Sequence, residues 1–584
     1  MQSTQTIQTG SEAALSHALE LFNAGRLAEA ACQCKAILAN DLSNASARFL
    51  LGMVELGDGD AAAAVRHLAV ATRTRPDNAL FHFYFGNALQ AAGMAPQALG
   101  AYRRSIALDP NHSPSHYNLG VCLARLGAYE EACAAYRAAL NLSPNDPTIY
   151  YNLANAQAGM REYAAAVGNY REALDRQPAW PAALINLGNT LHRLNRTEEA
   201  ESAYYRALSL DPENAGTFFN LGVLLMETDR LPQAATTLAR ALELDPAYGD
   251  AGWNLALVNL ALGNLQTGFA MYENRWLRNS PGLDCIHEQL AIPQWDGGGL
   301  EGQRLLVACE QGIGDEIMFA ACLPDVIARA DHVVIECSAK LLPLFRRAFP
   351  HSTVQAAVTW RDDEGFRRHS YTWLEDLPAD RQPTLFCTAG SLPLLLDKTL
   401  DSFAGPQPLM RQDGRTVAGW KRRLARLGDG PKIGLCWRSG LRAENRDWQY
   451  ASLMDYAPLL AIPGAQFVDL QYDDSAAERL ALERTHGLRL HRFDDLDMKD
   501  DLDRTAGLIA ALDLVVSAPT AVAELAGAVG APGWRVSVGP DWSTFGCDRY
   551  PWFPSIRTYK LSRTGSAVEQ IGELARRIRA ELSL

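Results

Sequence analysis

The sequence predicts an α-solenoid of paired helices followed by an α/β region of two parallel-sheet domains, and three observations carry that prediction. Pro76, Pro110, Pro144, Pro178, Pro212 and Pro246 recur every 34 residues, which means stacked units rather than one core. From Arg304 onward, strand-length apolar runs alternate with helical patterns, as in a parallel sheet covered by helices on both faces. Between the two, Pro293-Gln294-Trp295-Asp296-Gly297-Gly298-Gly299 is a shift in composition that marks a boundary. The organisation that follows is a disordered stretch at 1–10, a repeat superhelix at 11–280, a linker at 281–303, and α/β domains at 304–410 and 411–584.

Composition narrows the function. A chain of 584 residues is too long for one ordinary core. Its longest apolar run, Leu508 to Ala518, is broken by Asp513, so no membrane span is expected. Met1 to Gly10 has neither a basic nor an apolar segment of a secretory signal, so a cytoplasmic location is expected. The 11 cysteines are scattered, and Cys32-Gln33-Cys34 does not have zinc-ligand spacing, so no metal is expected. A net charge of −13 argues against non-specific binding to nucleic acid or anionic lipid, while allowing a local basic pocket for a phosphate.

The repeat units follow from the register of small residues. Gly52, Gly86, Gly120, Ala154, Gly188, Gly222 and Ala256 form one series, and Ala30, Ala64, Ala98, Ala132, Ala166, Ala200 and Ala234 a second. Small side chains at one level on each of two helices let them approach closely, and the following proline stops the second helix. The turn between them falls at Gly25, Gly59, Gly93, Gly127, Asn195, Asp229 or Gly263, residues that tolerate left-handed backbone; Arg161 breaks that series. Eight pairs fit between about Ser11 and Ser280. With Tyr117-Asn118-Leu119-Gly120, Gly127-Ala128-Tyr129-Glu130-Glu131-Ala132 and a closing Ser143-Pro144, the unit closely resembles the tetratricopeptide repeat.

Asn118, Asn152, Asn186, Asn220 and Asn254 each stand two residues before the small position, about 200° around the helix. Facing away from the partner helix, they would line the concave groove as a ladder of amides able to hold peptide backbone without reading its sequence. The alternative is that they bond only to neighbouring repeats. Ser16, Leu50 and Tyr84 replace them in the first three units. Similar ladders occur in the protein O-GlcNAc transferases of eukaryotes, a resemblance that implies acceptor-polypeptide binding.

The second half is organised around Arg304 to Ala321. The apolar run Leu305 to Cys309 passes through Gly312 and Gly314 into a helical pattern, a strand-turn-helix junction with free N–H groups at the helix start. Asp315 at that junction can cap the helix or take a proton from an acceptor hydroxyl. Further strands are predicted at His332 to Cys337 and Thr384 to Thr388. After Gly405 to Gly414 come Lys432 to Trp437, Gln466 to Gln471, Leu512 to Ser517 and Trp534 to Val538, with a closing helix at Ala567 to Leu582.

Glu310-Gln311-Gly312-Ile313-Gly314-Asp315, Lys432 to Gly440, Leu470-Gln471 and Thr520 to Ala528 together resemble the bacterial heptosyltransferase-like glycosyltransferases of GT-B fold, two Rossmann-like domains facing one another. The resemblance implies Asp315 as catalytic base and Arg438, Gln471, Thr520, Ala521 and Glu524 on the donor side. Arg438 could offer charged donors to a phosphate or form an ion pair; Thr520 and Ala521 could meet a phosphate or simply cap a helix. Arg442 and Arg446 could take either part. Pro519 and Glu524 depart from the Asp and His common in that family. Glu524 could bond a ribose hydroxyl, or mark a donor other than ADP-heptose. Asp541 to Pro554, with Trp542, Arg549, Pro551, Trp552 and Pro554, resembles a segment of the repeat-bearing members, without an evident role beyond aromatic packing.

A polypeptide groove joined to a sugar-transfer cleft points to protein O-glycosylation on Ser or Thr. Among proteins of this design the chain resembles the bacterial flagellin glycosyltransferases, which implies flagellin as acceptor and a CMP-activated nonulosonic acid such as pseudaminic acid as donor. No base-reading motif separates CMP from ADP, GDP or UDP. No cofactor beyond the nucleotide sugar is expected, and there is no Asp-x-Asp cluster placed to bind a metal. Two other classes remain open: a lipopolysaccharide sugar transferase whose repeats recruit partner enzymes, and a non-catalytic repeat adaptor with a degenerate GT-B domain.

Overall fold

A computed structural model describes residues 2–278, 290–363, 365–403, 408–440, 450–563 and 565–584. The chain forms two compact units, Met1–Thr217 and Phe218–Leu584. Compactness therefore divides the chain well before the composition shift, and the last helix pairs belong with the α/β region. Sixteen helices make the eight expected pairs, the first Gln2–Asn23 with Leu27–Asn40 and the last Gly249–Ala261 with Leu265–Tyr272. The first helix begins at Gln2, within the stretch expected to be disordered.

In the first unit the small residues have a cause more specific than close helix approach. A methyl placed on Gly86, Gly120 or Gly188 would stand 2.6 Å from the ring of Tyr102, Tyr136 or Tyr204, sixteen residues further on. Each glycine is thus a socket for a buried tyrosine of the partner helix. The hydroxyls of Tyr102 and Tyr204 donate to Asn87 and Asn189 at 2.9 and 2.7 Å, so burial leaves them satisfied. The turns are left-handed throughout, Arg161 included at φ 64°. A side chain there costs about 1–2 kcal/mol relative to glycine.

The second unit begins with repeat helices and continues into two sheets. After the last pair, a 3₁₀ turn, Glu273–Leu277, folds back across the helix Gly249–Ala261. A side chain at Gly249 would meet the Leu277 carbonyl at 2.5 Å, and one at Gly252 would meet Asn274 at 2.7 Å, so glycine is required at both places. The strands are β1 (Arg304–Ala308), β2 (His332–Cys337), β3 (Thr353–Ala356), β4 (Val358–Arg361), β5 (Arg367–Ser370), β6 (Leu385–Thr388), β7 (Lys432–Cys436), β8 (Gln466–Asp469), β9 (Leu514–Ser517), β10 (Gly533–Val538) and β11 (Ile556–Leu561). They form a sheet in the order β3-β2-β1-β6, a second in the order β11-β10-β9-β7-β8, and the hairpin β4-β5. Both sheets pair in parallel. β3, β11 and the hairpin add to the strands predicted from sequence.

Pro293 to Trp295, expected as linker, pairs along the edge of β6: Phe386 N donates to Pro293 O and Trp295 N to Phe386 O. Trp295 is buried there. The segment Asp541 to Pro554 also finds a role. Trp542, Phe545 and Trp552 join Phe269 and Tyr272 of the last repeat helix, Phe319 and Phe403 in one aromatic cluster, with Tyr272–Trp542 at 5.6 Å and Phe403–Trp552 at 4.6 Å between ring centres. Such edge-on and tilted pairs add stabilisation beyond the area they bury. Among the described residues no helix is long and apolar enough to cross a membrane.

Candidate functional site

In the first sheet the strand order reverses beside β1, and ligands of open α/β sheets enter at such a point, at the carboxyl ends of the strands. Here that crevice holds Arg275, from the 3₁₀ turn after the last repeat. It is 3% exposed and grips Glu310, just beyond β1, through Nε at 2.8 Å and a second nitrogen at 3.0 Å. The same guanidinium donates to Thr388, at the end of β6, and Ser391, beyond it, at 3.0 and 2.7 Å and to Glu273 at 2.6 Å. Burial pulls its pKa down, but Glu310 and Glu273 outweigh that and hold it above the ordinary value.

The loop after Glu310 then turns through Gln311, whose backbone is left-handed at φ 64°. Gln311 Nε2 donates to the buried Tyr272 hydroxyl at 2.8 Å, and Arg367 of β5 donates to the Gln311 carbonyl at 2.7 Å. Gly312 opens the helix Ile313–Phe319, and Asp315 Oδ2 accepts its N–H at 3.1 Å. Asp315 therefore caps the helix, as the plainer expectation had it. Capping does not remove its basicity. Burial raises its pKa above the usual carboxylate range, aided by Glu310, while the Gly312 N–H and Arg535 oppose the rise. A carboxylate so raised is a better proton acceptor than a solvated one.

The second sheet reverses between β7 and β9, and the donor-side residues predicted from sequence gather at their carboxyl ends. Thr520 caps the helix Ala521–Ala528, its hydroxyl accepting from Val522 N at 3.3 Å. Gln471 is fully buried, and its side-chain amide bonds the Arg438 backbone, donating to O at 2.9 Å and accepting from N at 3.4 Å. It holds the β7 end in place rather than facing a nucleotide. Arg438 is 8% exposed and turned onto Asp473 and Glu478, so of its two expected parts it takes the ion pair. Glu524, expected near a ribose, is 4% exposed and bonded to Arg535 and to the Tyr550 hydroxyl at 3.0 Å. Arg535 also holds Asp541 at 2.6 Å. Two carboxylates share one guanidinium: Asp541 lies below its ordinary range, whereas burial pushes Glu524 up to about 7. Arg442 and Arg446 lie outside the described residues.

The two crevices meet through Gly314. A side chain there would touch the backbone of Ala521 at 3.5 Å and Glu524 at 3.7 Å. The junction that carries Asp315 thus lies directly against the helix start that Thr520 and Ala521 form. Beside them Cys309, Glu336 and His369 are buried with ligating atoms within 4.8 Å of one another, His369 Nδ1 at 3.3 Å from Glu336. Sequence spacing gave no sign of this trio, because it joins β1, β2 and β5.

Of the two expectations for the asparagine ladder, the hydrogen bonds of three members follow the second, bonding to the neighbouring repeat. Asn118 donates to Asn87 at 2.8 Å, Asn152 to the Tyr117 hydroxyl at 3.0 Å, and Asn186 to Tyr151 and Asn155 at 3.1 and 3.0 Å. Three of the five side chains in this way use their donors on the preceding repeat. Asn254 donates to its own helix, at the Asp250 carbonyl, and Asn220 is half-buried. Arg275, Tyr272 and Arg535 escaped the sequence reading. The one available sign was that position 280, where the next register proline should stand, is Ser.

Comparison with known proteins bears first on the helix pairs. Tetratricopeptide repeat models match residues 15–79 and 151–215, 101–134 and 196–257, and a TPR repeat model matches 123–160. The first half carries tetratricopeptide repeats. The chain is also 34% identical over 331 residues to Protein FlbA of Caulobacter vibrioides, covering 56% of this chain and 54% of that one. It spans about half the length of that curated relative. Among solved structures, YrrB, described as a TPR protein with an unusual peptide-binding site, is 21% identical and covers 32% of this chain and 95% of its own, with a TM-score of 0.30. The C-terminal part of a TPR repeat-containing protein from Cytophaga hutchinsonii is 16% identical and covers 41% and 99%, with a TM-score of 0.36.

Proposed function

We propose that the chain is a cytoplasmic protein O-glycosyltransferase of GT-B type, moving a sugar from a nucleotide donor to Ser or Thr of a polypeptide held by the tetratricopeptide repeats. Asp315 takes the proton of the acceptor hydroxyl. That oxygen attacks the anomeric carbon, the bond to the nucleotide phosphate breaks, and the phosphate leaves with its charge toward the N–H groups at Thr520 and Ala521. The observation that supports this reading is the contact of Gly314 with Ala521, which brings the loop of Asp315 against the helix start at Thr520 and Ala521. The family resemblance supplies the narrower proposal: CMP-pseudaminic acid or a related nonulosonic acid as donor, and flagellin as acceptor.

The test is melting of the full chain with CMP-, UDP-, GDP- and ADP-sugars. A ligand at a hundred times its Kd stabilises by about 2.7 kcal/mol, and transfer from the stabilising donor to flagellin is then followed by mass. No shift with any of the four would remove the reading. One observation favours a second reading, a non-catalytic adaptor: Arg438 and Glu524 are already engaged by Asp473, Glu478 and Arg535. An adaptor would bind flagellin and show no donor shift.

A further inference from the structure

We infer that Arg275 is a positioning residue of the transfer site: by gripping Glu310 it fixes the loop from Glu310 to Asp315, and so makes the last repeat pair a working part of the α/β region. The inference rests on the proposed function. Its structural half stands on three observations. First, Arg275 fills the crevice at the reversal of strand order, bonding residues beyond both β1 and β6. Substrate is thereby kept from that crevice.

Second, the loop needs holding. Gln311 is a non-glycine residue in left-handed backbone, a conformation that persists only where the surroundings over-determine it. Tyr272 of the last repeat helix bonds its side chain, Arg367 its carbonyl, and Arg275 its neighbour Glu310. Two of these three holds come from the repeat.

Third, Arg275 sets the charge that Asp315 meets. The groups facing Asp315 are Glu310 on its own loop, Tyr272 from the repeat helix and Arg535 from β10, with Glu524 packed against Gly314. Arg275 compensates Glu310. Without it an unpaired carboxylate beside Asp315 would favour the protonated form, and the base would work only at higher pH.

The test uses the full chain with Arg275→Lys, Arg275→Gln and the double variant Arg275→Gln/Glu310→Gln. Hydrogen exchange is read on amides 309–316 beside those of 13–217. Arg275→Gln should speed exchange in the loop at least tenfold and leave the first unit unchanged; the double variant should return toward wild type, since no unpaired carboxylate remains. With CMP-pseudaminic acid and flagellin as probes, Arg275→Lys should lower kcat about tenfold at unchanged donor KM. The acidic limb of the pH profile should move upward in Arg275→Gln and not in the double variant. Unchanged loop exchange in folded Arg275→Gln overturns the inference, as does a changed donor KM with kcat intact. Should Arg275→Gln fail to fold, normal loop exchange and full kcat in Arg275→Lys overturn it. If the wild type transfers nothing, the proposed function fails, and loop exchange alone decides whether Arg275 positions the loop.

Discussion

The two sheets of the second unit are both parallel and both reverse their strand order, yet the reversals are finished in different ways. Between β7 and β9 the structure is self-supplied: Gln471, Arg438, Asp473 and Glu478 all belong to the α/β region and pair among themselves. Between β1 and β6 the decisive side chain is imported from the repeat, where Arg275 reaches Glu310. The comparison teaches that the crevice between β1 and β6 takes a charged side chain from what precedes it in the chain, whereas the ion pairs at the crevice between β7 and β9 are formed within the α/β region.

The largest expected effect tests whether the imported crevice carries the chemistry. Asp315→Asn keeps the cap on Gly312 and removes the basicity, so transfer should fall by a factor on the order of 10²–10⁴ while the donor-induced rise in melting temperature remains. Equal turnover in that variant would make Asp315 a cap and nothing more.

Truncation comes next. A fragment of residues 218–584 should unfold cooperatively in urea. One of residues 285–584 lacks Phe269, Tyr272 and Arg275 and leaves Glu310 buried without its partner, at a cost on the order of 3–5 kcal/mol. If the shorter fragment were equally stable, the contrast between the two crevices would dissolve.

A pH series sharpens the comparison, because each half buries a carboxyl raised to near neutrality. Glu316, bonded to Ser338 in the first, and Glu524 in the second are both pushed by burial from 4.5 up to about 7. For a group whose pKa is raised by folding, the stabilisation is complete below its unfolded value and lost as pH rises through the folded one. Stability should therefore fall between about pH 4.5 and pH 7, by an amount on the order of 1–3 kcal/mol for each group, and the melting temperature with it. Glu316→Gln should flatten part of that slope. An unchanged slope in the variant would mean that Glu316 is charged where it stands.

The smallest effect lies in the first unit, whose turns do not depend on either crevice. Arg161→Gly relieves a left-handed non-glycine residue and should raise thermal stability by about 1 kcal/mol. A loss of stability would show that the contacts of the Arg161 side chain outweigh its backbone strain.

How much of this was legible follows the range of the interactions. The helix pairs could be read because their cause is local and repeated: a glycine, a tyrosine sixteen residues on, and a proline at the close. The junction at Asp315 and the helix start at Thr520 were also legible, since strand, glycine and helix follow one another directly. For the ladder both readings were legible, groove or neighbouring repeat, but helical angle could not choose between them, because it does not say which tyrosine or asparagine of the preceding repeat stands within reach of Asn118 or Asn186. Arg275 was illegible because nothing in the sequence around it announces Glu310, and Cys309, Glu336 and His369 because strands from different parts of the chain bring them together.

The tyrosine sockets bear on how such a chain changes over generations. Each ring and its glycine belong to a single copy of the unit, and Asn118, Asn152 and Asn186 each look back by one copy to what precedes them. A copy gained by unequal recombination arrives with its own socket filled and offers its successor the same neighbour as before, so reach can lengthen or shorten in whole steps. The copy that ends in Arg275 has no such freedom. It is the fixed end from which the others are counted, and length is added or lost on its far side.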